Sequence, residues 1–455
     1  FSWSLFEFAR NPYYFLVVIY VFPPYFASAV VGDAVRGQAL IAGSIELAGY
    51  VCALTAPLLG AMMDRSGRRK PVLAFFIAAL ALCSATLWFA MPGGEGLPIA
   101  LIVPLLSLGY ISYTYSEVMH NAMLPLAGRP SSLSSISGLG LSLGQAGAVV
   151  GLLAIVVLSL APQLIGLPEG RMDLIARGIG PVTAVWLVVL MVPFFLWMPD
   201  GAPAGGSWTR AGREILLGGE GENLFSRIGV FVRYIRDLFR QHPRAMKFLI
   251  VRMIYADGVT TLLSLGGVYT AGVLAWGQTE LALYGIWGSF FGVIGGVFGG
   301  SFMDKVFGPR RAIIVELILL SCGVLLAISV SQESILFGLI PADQTVNSLP
   351  FFSQLYELAY LGAIAFVAIF ATAIISSSRY MLVRVAPAGR VSEFFGLYMM
   401  AATATVWLGP LLVRLATTAS GDQRIGFAPV PALLVIGAVL MLLIVRAPPG
   451  ERDAR

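Results

Sequence analysis

Apolar runs of about 20 residues recur from one end of this 455-residue chain to the other. At about 1.5 Å per residue, each is long enough to cross the roughly 30 Å hydrocarbon core of a bilayer. A helix satisfies its own backbone hydrogen bonds, so such runs enter a membrane as helices packed side by side. With 58% hydrophobic and only 12% charged residues, the chain carries more apolar surface than a water-soluble fold can cover. The runs fall near 12–32, 38–60, 71–91, 98–126, 136–160, 180–198, 247–274, 280–303, 311–330, 355–378, 393–415 and 428–446. The expectation is an all-α membrane protein with about 12 transmembrane helices.

The net charge of +5 sits in short clusters between the runs rather than on one basic face, which argues against nucleic acid as a partner. With the N-terminus in the cytoplasm, the inner side receives Arg65, Arg68, Arg69, Lys70, Arg129, most basic residues from Arg210 to Lys247, Lys305, Arg310, Arg311, Arg379, Arg384, Arg390 and Arg446. The outer side receives only Arg36, Arg171, Arg177, Arg414 and Arg424. The positive-inside rule then puts both termini in the cytoplasm and favours an even number of spans. Cys52, Cys83 and Cys322 all lie within apolar runs, without paired or metal-ligand spacing, and read as packing residues. The two histidines, His120 and His242, form no nucleophile–base or metal pattern, so neither an enzyme nor a cofactor is expected. No cleavable signal precedes the first run, and residues before Phe1 are expected to have been trimmed.

The longest polar interruption, Pro199 to Ala245, ends in the basic amphipathic stretch Phe225 to Arg240. Apolar residues at helical spacing there predict an interfacial helix lying on anionic headgroups. The expected domains are an N-terminal six-helix bundle over 1–198, a cytoplasmic linker over 199–245 and a C-terminal six-helix bundle over 246–455.

Between the second and third runs stands Gly60-Ala-Met-Met-Asp64-Arg65-Ser-Gly67-Arg68-Arg69-Lys70. Gly60 permits close helix approach, Asp64 suits a neighbouring helix N-terminus, and Gly67 suits a tight turn. The pattern returns between the corresponding runs of the second half as Gly300-Ser-Phe-Met-Asp304-Lys305-Val-Phe-Gly308-Pro-Arg310-Arg311, with one extra residue before its glycine. Both copies resemble the cytoplasmic loop of the major facilitator superfamily. That resemblance implies two pseudo-symmetric six-helix bundles rocking about a central site. The loops would then latch the cytoplasmic ends of the halves while the protein faces outward. Gly288, Gly292, Gly296 and Gly300 recur every four residues along the eighth run, as do Gly140, Gly144 and Ala148 along the fifth. Each ladder predicts one smooth helical face; the resemblance implies that spans five and eight meet across the two halves, where close, sliding contact fits.

Further segments resemble the autophagy-related vacuolar effluxer family and its bacterial relatives. They are Ser2 to Tyr13, Tyr115 to Pro125 with Asn121-Ala-Met-Leu-Pro125, Tyr255-Ala-Asp257-Gly258-Val-Thr260, Ser378-Arg379, Glu393-Phe-Phe-Gly396-Leu-Tyr398 and Gly409-Pro410. The resemblance implies a secondary active transporter exporting amino acids or related metabolites, located in a bacterial inner membrane. Its expected partners are a small-molecule substrate, protons and membrane lipids, with the chain working as a monomer. Export of drugs, siderophores or lysolipids is the alternative within the carrier class. A transporter-like receptor or sensor is the alternative outside it.

Ionisable groups inside a span are costly and face a cavity or a partner, so they are the candidates for substrate and proton handling. Asp257 lies near the midplane of the seventh span, with Tyr255 beside it and Arg252 nearer the cytoplasmic end. Asp257 reads either as a proton-exchanging carboxylate or as the fixed partner of Arg252 or Arg10. Glu117 and His120 are one turn apart on the fourth span, followed by Asn121, and Glu46 lies in the outer half of the second. Glu117 could exchange a proton too, and His120 could shuttle protons or form a plain polar pair. Arg10, beside Asn11, and Arg252 hold comparable places at the starts of the two halves. Either suits a substrate carboxylate or an inner-gate salt bridge.

Overall fold

The computed structural model describes residues 1–66, 69–123, 126–128, 133–160, 172–200, 224–298, 303–342, 344–348, 350–387 and 391–445. Among these described residues, six long helices precede the linker: α1 (Ser2–Val31), α2 (Ala34–Ser66), α3 (Lys70–Thr86), α4 (Ile99–Ala122), α5 (Leu133–Leu160) and α6 (Met172–Trp197). Six follow it: α7 (Pro243–Leu274), α8 (Gln278–Phe298), α9 (Pro309–Ser329), α10 (Leu355–Val385), α11 (391–420) and α12 (Gln423–Ile444). The linker itself carries the expected amphipathic helix, Leu224–Gln241. Among the described residues, α1, α3, α4, α6, α7, α9, α10 and α12 are each long and apolar enough to cross a membrane on their own.

The packing repeats with a shift of six helices. In the first half α1 packs on α5 and α6, α4 on α2 and α3, and α3 on α6. In the second, α7 packs on α11 and α12, α10 on α8 and α9, and α9 on α12. The halves meet where α2 lies on α11, α5 on α8 and α1 on α7, pairs that exchange with one another under the same shift. This is the two-bundle arrangement of the major facilitator fold. Burial follows the position of each helix: 67% of the most apolar window of both α1 and α7 is buried, against 39% for α3 and α6. The first two are therefore central, and the latter two show much of their apolar surface to lipid.

Several helix ends differ from those expected, for legible reasons. Helix α1 begins at Ser2, ten residues before the first apolar run, because Glu7 and Arg10 pair at i, i+3 and Phe6 and Ala9 are buried. Helix α10 runs on through Arg379 and Arg384 to Val385. Helix α11 breaks at Val406 and Trp407, into Val391–Thr405 and Leu408–Ser420. Pro410 causes the break, since its ring displaces the carbonyl four residues back and offers it no amide. Helix α1 turns π-helical over Tyr13–Tyr20 and Phe26–Val31, either side of Pro23 and Pro24. Neither proline can bond the Ile19 carbonyl, and Gly267 of α7 lies against that oxygen so closely that an added Cβ would sit 1.9 Å away. A proline pair in one half and a glycine in the other thus fix the α1–α7 approach.

The glycine ladders pack differently from the expectation. Gly140 lies against Trp3, and Gly144 against Glu7 and Asn11, all on α1. Gly292 and Gly296 face Thr372 of α10. Gly140, Gly144, Gly292 and Gly296 therefore seat helices within their own half, whereas Gly288 faces Tyr20 of α1 and Gly285 lies against Tyr20 and against Leu152 of α5, across the boundary between halves. Cys322 also departs from a packing role: it is exposed, whereas Cys52 and Cys83 are buried.

Of the paired loops, Gly60, Asp64 and Arg65 form the last turns of α2, while Gly67, Arg68 and Gly300 lie outside the described residues. Asp304 and Lys305 open a short helix, Asp304–Phe307, that ends on Gly308 at φ 75°. Arg310 then donates to the carbonyls of Val445 (2.6 Å) and Leu442 (2.7 Å), tying the start of α9 to the end of α12 within its own half. Between α9 and α10 a small hairpin pairs β1 (Ser334–Ile335) with β2 (Ile340–Pro341).

Close approach within a half should be measurable as stability. A Cβ at Gly180 would lie 2.3 Å from the Ser84 backbone oxygen on α3, whereas one at Gly362 would meet nothing within 4 Å. Gly180→Ala is expected to lower stability by about 1–3 kcal/mol, and Gly362→Ala to leave it unchanged or raise it by up to about 1 kcal/mol. Thermal denaturation of the two purified variants in detergent checks the contrast.

Candidate functional site

Four polar residues of the first half, Glu7, Arg10, Glu117 and His120, converge where α1 meets α4. Arg10 is 3% exposed and holds two carboxylates, Glu7 at 2.9 Å on its own helix and Glu117 at 3.2 Å on α4. Its guanidinium also lies over the Tyr113 ring, 4.2 Å from the centroid. A buried cation held this way is a fixed structural charge, because both terminal nitrogens are committed. Glu117 differs, with its side chain 38% exposed. Asn11 fits beside the cluster because Gly144 leaves room for it, and Asn121 is half-buried at the end of α4.

His120 is sandwiched between Trp3 and Phe6, each ring centroid 4.0 Å away. Its Nε2 lies 2.8 Å from the Trp3 carbonyl oxygen, and its Nδ1 lies 3.1 Å from Glu7 Oε1. Trp3 donates in return to the His120 carbonyl at 3.0 Å. His120 and Glu117 therefore serve different partners despite sharing a helix face. The histidine clamps the start of α1 onto α4.

In the second half, the partners described for Arg252, Tyr255 and Asp257 are an aromatic ring, a hydroxyl and backbone atoms. Arg252 lies over the Tyr398 ring, 3.3 Å from the centroid, and donates to the Tyr398 carbonyl at 3.0 Å. The Tyr255 hydroxyl meets Ser378 Oγ at 2.8 Å, so two of the sequence motifs join across α7 and α10. Asp257 pairs with neither Arg252 nor Arg10. Its Oδ2 accepts from the Gly409 amide at 2.6 Å, which places a buried carboxylate at the N-terminus of Leu408–Ser420, beyond the break in α11. Among the described residues, Asp257 Oδ1 and the neighbouring Thr261 Oγ1 are buried without hydrogen-bond partners.

Between the halves, Glu46 of α2 receives both Arg414 Nε (2.6 Å) and Nη2 (3.1 Å) from α11, and Tyr50 donates to the same carboxylate at 3.0 Å. Gln38 donates to Thr417 Oγ1 at 2.9 Å, Gln423 to the Ala34 carbonyl at 3.0 Å, and Tyr14 meets Ser264 at 3.3 Å. Among the described residues, these bonds between halves run from the interior toward the end away from the linker helix. The half-helix Leu408–Ser420 is thus capped by its own half through Asp257 and held by the other half through Glu46 and Gln38.

The chain matches the family described as vacuole effluxer Atg22 like over residues 29–455. It belongs to the Atg22-like family. The MFS-type transporter YxiO of Bacillus subtilis (strain 168) is 22% identical over 97% of this chain and 94% of its own length. Autophagy-related protein 22 of Yarrowia lipolytica is 25% identical over 77% of this chain, which spans only 57% of that protein. Among solved structures, a D-xylose–proton symporter has a TM-score of 0.66 at 12% identity, covering 98% of this chain and 97% of its own. A POT family transporter in complex with a thioalcohol-conjugated peptide has a TM-score of 0.67 at 12% identity, covering 97% and 94%. The protein is therefore a multi-pass membrane transporter of the major facilitator type, and its relatives are transporters rather than enzymes.

Two residues central to this Atg22-like interior were not among the sequence candidates. Glu7 is one, although its spacing from Arg10 signalled a pair. Arg414 is the other, assigned to the outer side by its place near the end of an apolar run. Its pairing with Glu46 predicts that Glu46→Gln or Arg414→Gln weakens closure at the end away from the linker. Exchange of the two charges should restore it. A cysteine at Ala271, in the cleft that α7 lines at that end, reports this: its alkylation rate should rise several-fold in either single variant and return toward the parent value in the exchange.

Proposed function

We propose that this transporter exports a small zwitterionic metabolite of the amino-acid class by proton-coupled alternating access. One observation carries the reading: two interior carboxylates, one in each half, are left in opposite states. Glu117 is partly exposed and bonded through one oxygen to Arg10, whereas Asp257 is buried with Oδ1 unpartnered among the described residues.

An exposed carboxylate beside Tyr14 and Tyr113 suits a substrate ammonium group, which it binds by a charge-assisted hydrogen bond. Arg10 is not available for the substrate carboxylate, since Glu7 and Glu117 occupy it. Arg252 supplies the opposite charge; among the described hydrogen bonds only its Nη1 is engaged, with Tyr398. Asp257 suits the proton. A buried carboxylate with a partnerless oxygen gains a donor when it binds H⁺, and it sits where α7 meets the broken helix that contacts the other half. Alternation of the halves would wet and dry this position, which is what coupling requires.

Thermal-shift screening of amino acids against their deaminated and decarboxylated analogues, followed by counterflow in proteoliposomes, tests the substrate class. Compounds with the ammonium group should stabilise the protein and exchange; a response confined to lipids or neutral drugs would overturn the reading. Glu117→Gln is expected to raise the half-saturation concentration for an ammonium-bearing substrate about tenfold or more. Asp257→Asn should retain counterflow while losing the acceleration that a pH gradient gives the parent. An Asp257→Asn protein with an unchanged pH response would remove Asp257 from coupling.

A further inference from the structure

The hairpin between α9 and α10 exposes what a loop in water would hide. Leu336, Phe337, Leu339 and Ile340 stand around its tip, with Phe337 66% and Leu339 81% exposed. Leu336 (φ 54°) and Phe337 (φ 57°) are consecutive bulky residues in the left-handed region, where side chains are disfavoured and glycine or asparagine is the usual choice. The fold holds this unfavourable turn in place. The Phe337 amide donates to the Ser329 carbonyl at 3.1 Å, and Gln332 Nε2 donates to the Val273 carbonyl at 3.3 Å, binding the hairpin to the ends of α9 and α7.

The surroundings identify what the tip meets. Along α9, Ile318, Cys322, Leu325 and Leu326 are exposed at helical spacing, a stripe facing lipid that leads directly to the hairpin. Helix α9 has 21 residues, about 31 Å at 1.5 Å each, so Ser329 falls at the edge of the hydrocarbon core. The Phe337 amide is bonded at that edge. Arg424 stands behind the tip, donating to the carbonyls of Ile328 (3.0 Å) and Ser329 (3.3 Å), with its guanidinium 5.7 Å from the Phe337 ring. A cation over an aromatic ring at a helix end is the arrangement that suits a headgroup boundary, where apolar stems enter the acyl region and charge stays with phosphate.

We propose that the tip Leu336 to Ile340 is a lipid anchor, seated in the headgroup–acyl boundary of the leaflet at the end away from the linker helix, with Arg424 at the phosphate level. Together with the amphipathic linker helix at the opposite end, it would fix the second half in depth while the first half moves.

The test places an environment-sensitive fluorophore on Leu339→Cys in a Cys322→Ser background. The full chain is reconstituted into phosphatidylcholine vesicles, and a Thr345→Cys label on the same loop serves as a water-exposed control. Nitroxide lipids labelled near the headgroup should quench the Leu339 label several-fold more than aqueous iodide does, and the control should show the reverse. Adding Phe337→Asp should shift the Leu339 label toward the control while the protein elutes as before. Equal iodide quenching at both positions would overturn the anchor. Protection of the Leu339 label from both quenchers would overturn it too, by showing that protein covers the tip.

Discussion

A charge inside a hydrocarbon-bounded bundle must be partnered, and most of what is specific about this structure follows from how its few interior charges meet that demand. Arg10 takes two carboxylates and an aromatic face, which fixes α1 against α4. Glu46 and Arg414 take each other across the boundary between halves, which fixes α2 against α11. Asp257 takes a backbone amide at a helix start. The first lies within one half, the second joins the two halves, and the third leaves an oxygen without a partner among the described residues. The proposed transport chemistry rests on the third, and on the exposed edge of the first.

Backbone irregularity concentrates where the halves meet. Pro23 and Pro24 offer the Ile19 carbonyl no amide, and Gly267 of the other half packs closely against its oxygen. Pro410 breaks α11, and Trp407 at the break lies so close to Gly49 of α2 that an added Cβ would be 2.7 Å away. A continuous helix cannot change its approach to a neighbour at one end alone. A helix broken at Val406–Trp407 can, because its two parts tilt separately. The break and the Asp257 cap adjoin, so under the proposed coupling a change in the charge of Asp257 would act directly on the part of α11 that grips the first half.

Much of this was legible in the chain. The apolar runs gave the number and order of helices, and the loops at Asp64 and Asp304 gave the two-fold repeat. Helix ends were less legible: apolar content stops at a charge, whereas the helix that carries Glu7 and Arg10 continues because the two charges neutralise each other. Of the nine interior candidates, Arg10, Asn11, Glu117 and His120 do gather at one place, and Tyr255 joins the Ser378 motif. What the pattern of residues could not reveal is that Asp257 bonds a backbone amide, since any residue but proline offers one. The glycine ladders had the right period but faced other helices than expected, because spacing fixes a face and not its orientation within the bundle.

The central claim is that solute and proton cross together. Simultaneous recording of both fluxes tests it most directly, with purified protein in vesicles that enclose a pH-sensitive dye and no imposed pH gradient. Addition of an amino-acid gradient should drive solute movement and shift the lumenal pH at once, with no shift in protein-free vesicles. Solute movement with no pH change would contradict the account, as would vesicles that bind the solute but never translocate it.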